Sequence, residues 1–404
     1  MKIGILIASL TPYGAEIAAI RLGEGLKERG MHVSILVTDA PPPMRVENVP
    51  VIPILHGGNL NLFQEFLYAP VQYIRLHRLI KKEKIDILIS FMERANIFNL
   101  TLPGKHRRIL TVHIYLKREF KESGIWRRIS TTIFYTLFLH RADRLLCVSR
   151  ASVADFLNMF PIKSDKLGVM RNPCDIEHLL SLAHEPIEAH YRKLFERKVI
   201  IHVGQFRKQK GQWYLIRAFK KILETMPDIR LVFLGDGELQ SYAETLVNDL
   251  GIKDKVYFLG YQMNPLKFMS RATVFAFPSL WEGYPVALVE ALICKVPIIS
   301  ADCKSGPREL LAPDTDFSHV AKGIERGQFG ILIPPFDGEF KDANAPLTKQ
   351  ELMLAEALLM LLQDDSLQEH YKRLGHQRAE VFGTDHVVEE WMNIFKNLQS
   401  QERH

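Results

Sequence analysis

Short, unbroken apolar runs alternate along the chain with stretches of helical period. In the first half the runs are residues 2–8, 32–38, 85–90, 108–112 and 144–148. Each is continuous rather than alternating, as expected of strands covered on both faces. Amphipathic stretches between them, such as residues 15–29 and 126–140, predict helices. Repeated strand–helix alternation predicts a parallel, doubly wound sheet. After Arg171-Asn172-Pro173 a helical, charged connector intervenes and the pattern restarts with Val199-Ile200-Ile201-His202-Val203-Gly204, a strand and a glycine turn. Further runs follow at residues 230–234, 256–259, 273–276, 296–300 and 331–333. The expected fold class is therefore α/β, with two tandem Rossmann-like domains facing each other across a cleft. The expected divisions are a first domain over 1–175, a connector over 176–197, a second domain over 198–380 and a C-terminal helix within 381–404. That helix carries Val387, Val388, Trp391, Met392, Ile394 and Phe395 on an apolar face. It packs either back on the first domain or within the second.

Length agrees with this division, because 404 residues suit two domains of roughly 200 each. With 47% hydrophobic and 24% charged residues, the chain has the balance of a folded soluble protein. Cys147, Cys174, Cys294 and Cys303 form no CxxC pair and no common zinc spacing, which fits free thiols in a reducing cytoplasm. The apolar start, Ile3-Gly4-Ile5-Leu6-Ile7, is short and runs into Thr11-Pro12-Tyr13-Gly14 without a cleavage pattern, so it reads as a first strand rather than a signal peptide. No run of 18 uncharged apolar residues occurs, and no membrane span is expected.

Charge is unevenly placed. Residues 1–190 hold 25 Lys and Arg against 18 Asp and Glu, and residues 101–150 alone hold 11 against 3. The remainder of the chain is near balance. A local basic field favours an anionic surface or ligand.

The most specific chemical signal is Trp281-Glu282-Gly283-Tyr284-Pro285-Val286-Ala287-Leu288-Val289-Glu290. It follows a predicted strand and Pro278-Ser279, and a helix is expected to start near Pro285, proline suiting the first helical position. Free N–H groups of the first turn, aided by the helix dipole, would cradle a phosphate. Gly283 would let backbone approach a ligand closely. Glu282 before the helix and Glu290 inside it could accept hydrogen bonds from two sets of sugar hydroxyls.

Here the sequence resembles the retaining glycosyltransferases of the GT-B fold, family 4, over nearly its whole length. Their Glu-x7-Glu motif matches Glu282 and Glu290. The resemblance implies that Glu282 contacts the donor hexose and Glu290 the nucleotide ribose. It implies that the loop Gly204-Gln205-Phe206-Arg207-Lys208-Gln209-Lys210-Gly211 holds the donor diphosphate, Lys210 matching the family's lysine. Gln205 stands where the family has arginine, and Arg207 is the candidate replacement; the alternative is that both cations are exposed loop residues. Leu234-Gly235-Asp236-Gly237-Glu238 is a recurrent junction whose glycines are read as structural. Backbone near Gly260 and Tyr261 is implied to hold the base. Arg308 and Glu309, in a second glycine-containing turn, are either ligand contacts or an internal salt bridge. In the first half, Tyr13, Gly14 and Glu16 form a cleft loop in which Tyr13 replaces the family's first glycine. His113, ending Thr111-Val112-His113, matches the family's cleft histidine; a satisfied core histidine is the alternative.

The implied reaction keeps the anomeric configuration and needs no metal or other cofactor, the nucleotide sugar being a substrate. The Asp314-Thr315-Asp316 triplet is read as a surface loop. Two stretches, residues 66–84 and 115–139, combine cations with apolar side chains. They are either membrane-surface helices or core-facing helices with basic backs. The expected partners are a nucleotide-sugar donor, probed first with UDP, a glycan or polyprenyl-linked acceptor, and an anionic membrane surface, with no nucleic acid. The expected location is the cytoplasm, free or peripheral at the inner face of its membrane. A nucleotide-sugar 2-epimerase shares the architecture and is the competing reading. No G-x-G-x-x-G follows the first strand of either half, which disfavours a dinucleotide oxidoreductase.

Overall fold

The computed structural model describes residues 1–10, 14–38, 46, 48–54, 62–113 and 124–400, without the side chains of residues 62–67 and 127. Tyr13 and most of the loop before residue 124 lie outside the described residues. The chain divides into two units: residues 1–175 with 382–404, and residues 176–381.

The first unit holds β1 (Lys2–Ile7), β2 (His32–Val37), β3 (Val51–Pro53), β4 (Ile87–Phe91), β5 (Arg107–Val112), β6 (Arg144–Cys147) and β7 (Leu167–Val169). They form one parallel sheet in the order β3-β2-β1-β4-β5-β6-β7. Its helices are α1 (Gly14–Glu28), α2 (Leu62–Glu83), α3 (Met92–Thr101), α4 (Ile125–Phe138) and α5 (Arg150–Met159). Side chains of successive strand residues leave by opposite faces. Ile3, Ile5 and Ile7 of β1 accordingly pack with α1, whereas Leu6 packs with α2 and α3. Leu110 and Val112 continue the second face toward α4 and α5.

The C-terminal helix belongs to this unit. Val387, Val388, Trp391 and Phe395 are buried in one cluster with Ile3, Ile5 and Leu22. Gly25 of α1 makes the approach possible, since a Cβ there would lie 2.6 Å from Val388 Cγ2.

The second unit contains α6 (Ile176–His184), β8 (Val199–Val203), α7 (Gln212–Leu223), β9 (Arg230–Leu234), α8 (Gln240–Asp249), β10 (Val256–Phe258) and α9 (Leu266–Met269). It continues with β11 (Val274–Phe277), α10 (Val286–Ile293), β12 (Ile298–Ala301), α11 (Pro307–Leu311), β13 (Glu325–Arg326), β14 (Ile331–Ile333), α12 (Lys349–Gln363) and α13 (Asp365–Glu380). The last helix, α14 (Thr384–Ser400), is the one returned to the first unit. The strand order is β10-β9-β8-β11-β12-β14-β13, parallel except for β13.

The segment expected as a connector is part of this second unit. Leu179, Ala183, Ile187 and Leu194 are buried, and Asn264 Nδ2 donates to Leu182 O at 2.8 Å. Its charged residues mark only the solvent side of packed helical turns.

In both sheets the order reverses beside the first strand, between β1 and β4 and between β8 and β11. Open parallel sheets bind ligands beyond the strand carboxyl ends at such a reversal.

Candidate active site

The loops that leave β8 and β11 at the second reversal carry the strongest sequence candidates. Lys210 follows β8 and Glu282 follows β11, 72 positions apart, and their side chains meet: Lys210 Nζ donates to Glu282 Oε1 at 2.8 Å. Gln209 Nε2 donates to Glu282 Oε2 at 3.1 Å and to Trp281 O at 3.0 Å. Glu282 is only 4% exposed. A carboxylate buried this far needs paired partners, and here it has two.

Close backbone packing brings the loops together. Leu280 N donates to Gln209 O at 2.7 Å. Gly211 has φ +61°, and a Cβ there would lie 2.5 Å from Pro278 O. The Leu234-Gly235-Asp236-Gly237 turn supports the same loop from β9. Phe206 N donates to Asp236 O at 2.7 Å, and a Cβ on Gly235 would lie 2.3 Å from Gly204 O. The turn after β12 supplies the third wall. Ser305 Oγ donates to Gly283 O at 2.9 Å, and a Cβ on Gly306 would lie 2.3 Å from Pro285 Cδ.

The helix after Glu282 begins one residue later than expected. Pro285 is the capping residue, with φ −81° and ψ 79°, and α10 starts at Val286. Two amides of the first turn are already engaged, Val286 N with Tyr284 O at 3.0 Å and Leu288 N with Pro285 O at 2.9 Å. The phosphate cradle expected there is therefore narrower than a full first turn of free N–H groups. Glu290 sits half-buried on the same helix. Gly283 is not among the glycines with positive φ, and Tyr284 is half-buried.

Other candidates are dispersed. The Arg207 side chain is exposed. Gly260 has φ +67° and its carbonyl accepts Gly235 N at 2.8 Å; Tyr261 is 67% exposed. Arg308 is buried in a salt bridge to Asp302 at 2.6 Å and Glu325 at 2.8 Å, which resolves its two readings in favour of an internal pair. Asp314 and Asp316 are exposed, and Asp316 Oδ1 accepts from Ser318 N and Oγ. Among the described residues no group of three or more His, Cys, Asp or Glu is placed to hold a metal ion.

His202, on β8 beneath this loop, escaped the sequence reading as one residue of an apolar run. It is fully buried, and its Nδ1 lies 2.9 Å from Ala276 O. That contact makes Nδ1 the protonated nitrogen of the neutral ring. Nε2 has no partner among the described residues, and the Cβ position of Gly204 lies 3.3 Å from it and 3.4 Å from Lys210 Cε. Burial, with the nearby Lys210 charge, lowers the His202 pKa to about 4. Gln209 was missed as well, glutamine being chemically unspecific until its partner is known.

In the first unit, Gly14 opens α1 and Glu16 lies in its first turn, beyond the end of β1. His113 directly follows β5, stacked on Phe91 at 5.1 Å. Thr111 Oγ1 donates to Ser90 O at 2.9 Å and lies 3.0 Å from His113 Nε2. With its own proton committed, Thr111 accepts from Nε2–H, leaving Nδ1 as the acceptor of a neutral ring. Burial lowers the His113 pKa to about 4, so near neutral pH the ring is uncharged.

Comparison with known proteins agrees with the two-sheet α/β fold. Residues 12–178 match the family model "Glycosyltransferase Family 4", and residues 185–324 match "Glycosyl transferases group 1". An uncharacterized glycosyltransferase of Methanocaldococcus jannaschii is 34% identical over 330 residues, 78% of this chain and 80% of that protein. A Campylobacter jejuni enzyme, GalNAc-alpha-(1->4)-GalNAc-alpha-(1->3)-diNAcBac-PP-undecaprenol alpha-1,4-N-acetyl-D-galactosaminyltransferase, is 25% identical over 99% of both chains. The crystal structure of Anabaena HepE in complex with UDP superposes with a TM-score of 0.74 at 19% identity, covering 99% of this chain and 100% of that one. The chain belongs to the family 4 glycosyltransferases and is a glycosyltransferase of GT-B fold.

Proposed function

We propose that this enzyme moves a hexose or N-acetylhexosamine from a UDP-sugar to a hydroxyl of a lipid-linked glycan, with retention of anomeric configuration. The observation that carries the reading is the Lys210–Glu282–Gln209 cluster at the β8/β11 reversal. An ionised carboxylate offers about four lone-pair sites. Lys210 and Gln209 take two of them, leaving acceptors for donor sugar hydroxyls. Lys210 also has its charge at the loop where a diphosphate would lie, and stabilises that leaving group. The acceptor hydroxyl attacks from the face the diphosphate leaves. The C1–O bond to phosphate breaks, the C1–O bond to the acceptor forms, and the acceptor proton passes to the leaving phosphate oxygen. His113 Nδ1 accepts from a sugar hydroxyl, Glu290 from the ribose, and no metal takes part. The Campylobacter relative is named for a diphospho-undecaprenol acceptor, and the Anabaena structure contains UDP, which supports these choices of acceptor and base.

Thermal protection by a panel of nucleotide sugars tests the donor. UDP-sugars raise the melting temperature more than ADP- or GDP-sugars carrying the same hexose. Equal protection by all bases removes the UDP assignment, and no protection by any removes the donor site.

A further inference from the structure

The first unit is two-faced. Among its described residues, every exposed large apolar side chain except Val169 lies on α2, α3, α4 or α5. The largest concentration is on α4. Ile125, Ile129, Ile133 and Leu137 recur every fourth residue with exposures of 60, 43, 54 and 58%, and Trp126 beside them is 81% exposed. At 3.6 residues per turn these five share an arc of about 120°. Core packing does not account for them, because Tyr135 and Leu139, with Phe134 and Phe138, fill the inward side of this segment. Tyr68, Val71 and Ile74 are further exposed apolar residues on α2, which covers the same side of the sheet.

Among the described side chains of α2 to α5, exposed charge has one sign. Arg75, Arg78, Lys81 and Lys82 are exposed on α2. No carboxylate among the described side chains of α2 to α5 is exposed. The opposite layer differs in both respects. α1 and α14 expose no large apolar residue, and their exposed charges mix Lys27 and Lys396 with Glu28, Asp385 and Glu389. Folded monomers seldom carry a large contiguous apolar patch without a partner. An anionic bilayer matches an apolar, aromatic stripe bordered by cations alone.

We propose that the outer face of the α2–α5 layer seats on an anionic lipid bilayer, the α4 stripe entering to headgroup depth and the α2 cations lying on the headgroups. This rests on the reading of a lipid-linked acceptor and adds which surface meets the membrane. The test compares wild type with Ile129→Glu/Ile133→Glu and Arg78→Glu in sedimentation with phosphatidylglycerol-containing and pure phosphatidylcholine vesicles. Wild type binds the anionic vesicles. The isoleucine variant loses binding on the order of 10-fold or more per side chain at low and high salt. The arginine variant loses binding mainly at low salt. Both keep the wild-type melting temperature and full transfer to a water-soluble acceptor, which separates this surface from the catalytic reading. Wild-type binding by the isoleucine variant, or no vesicle binding by wild type, overturns the proposal. So does a wild-type dimer that the isoleucine variant splits, which would make the face an interface between copies.

Discussion

Acidification should weaken the second unit through His202. The buried ring has a pKa near 4 instead of the usual 6.5, desolvation being the main cause. Unfolding releases it to the ordinary value. Between those values the unfolded chain binds a proton that the folded chain refuses, so stability is fully present above about pH 6.5 and falls until about pH 4. At about 1.4 kcal/mol per pH unit, the full loss is about 3.5 kcal/mol, and by about pH 4.5 roughly 2.5 kcal/mol of it has occurred. That is a large share of a typical domain's stability. Native-state amide exchange read on peptides covering β8 and β11, at neutral pH and near pH 4.5, measures it directly. Carboxylates contribute their own acid dependence, so the comparison is with His202→Asn, which keeps a donor for Ala276 O, and His202→Phe, whose ring joins Phe233, Phe275 and Phe277. Wild type should lose about 2.5 kcal/mol more than either variant over this interval. An equal loss in all three would show that His202 is not the buried neutral group described.

Two further outcomes follow from packing. Gly306→Ala forces a methyl to 2.3 Å from the Pro285 ring at φ +112°, so it should destabilise by more than about 1 kcal/mol and reduce donor protection in the thermal assay; unchanged protection would mean that the β12 turn does not shape the site. Arg217→Met leaves Glu351, fully buried and paired at 2.6 Å in the wild type, without its cation, and urea unfolding should show a loss of about 3–5 kcal/mol; a loss below about 1 kcal/mol would mean the pair is solvated.

Continuous apolar runs made both sheets legible, because central parallel strands are buried on two faces whatever the loops do. Edge strand β10 was legible in its apolar run, but β3 ends in Pro53, β7 is interrupted by Gly168, and β13 is only Glu325-Arg326, so these three leave no continuous apolar signal. Glu282 and Lys210 stood out through their spacing and the turns around them. Their contact, and the part of Gln209 in it, depends on how Gly211 lets one loop cross Pro278, which is a tertiary matter. The start of α10 was misplaced by one residue for a local reason: Tyr284 O captures the Val286 amide, so Pro285 caps the helix instead of opening it. Periodicity gave α14 its apolar face but not its destination, since Trp391 could fill a pocket in either unit; it fills the first.

The most direct test of the account is the transfer rate of Glu282→Ala on a donor and acceptor that the wild type uses. Loss of hydrogen bonds from sugar hydroxyls to this carboxylate, each about 1.5–3 kcal/mol, should lower transfer by about 100-fold or more. Circular dichroism should show the fold intact. A folded Glu282→Ala enzyme with wild-type transfer would contradict the assignment of the Lys210–Glu282 cluster as the donor-sugar site.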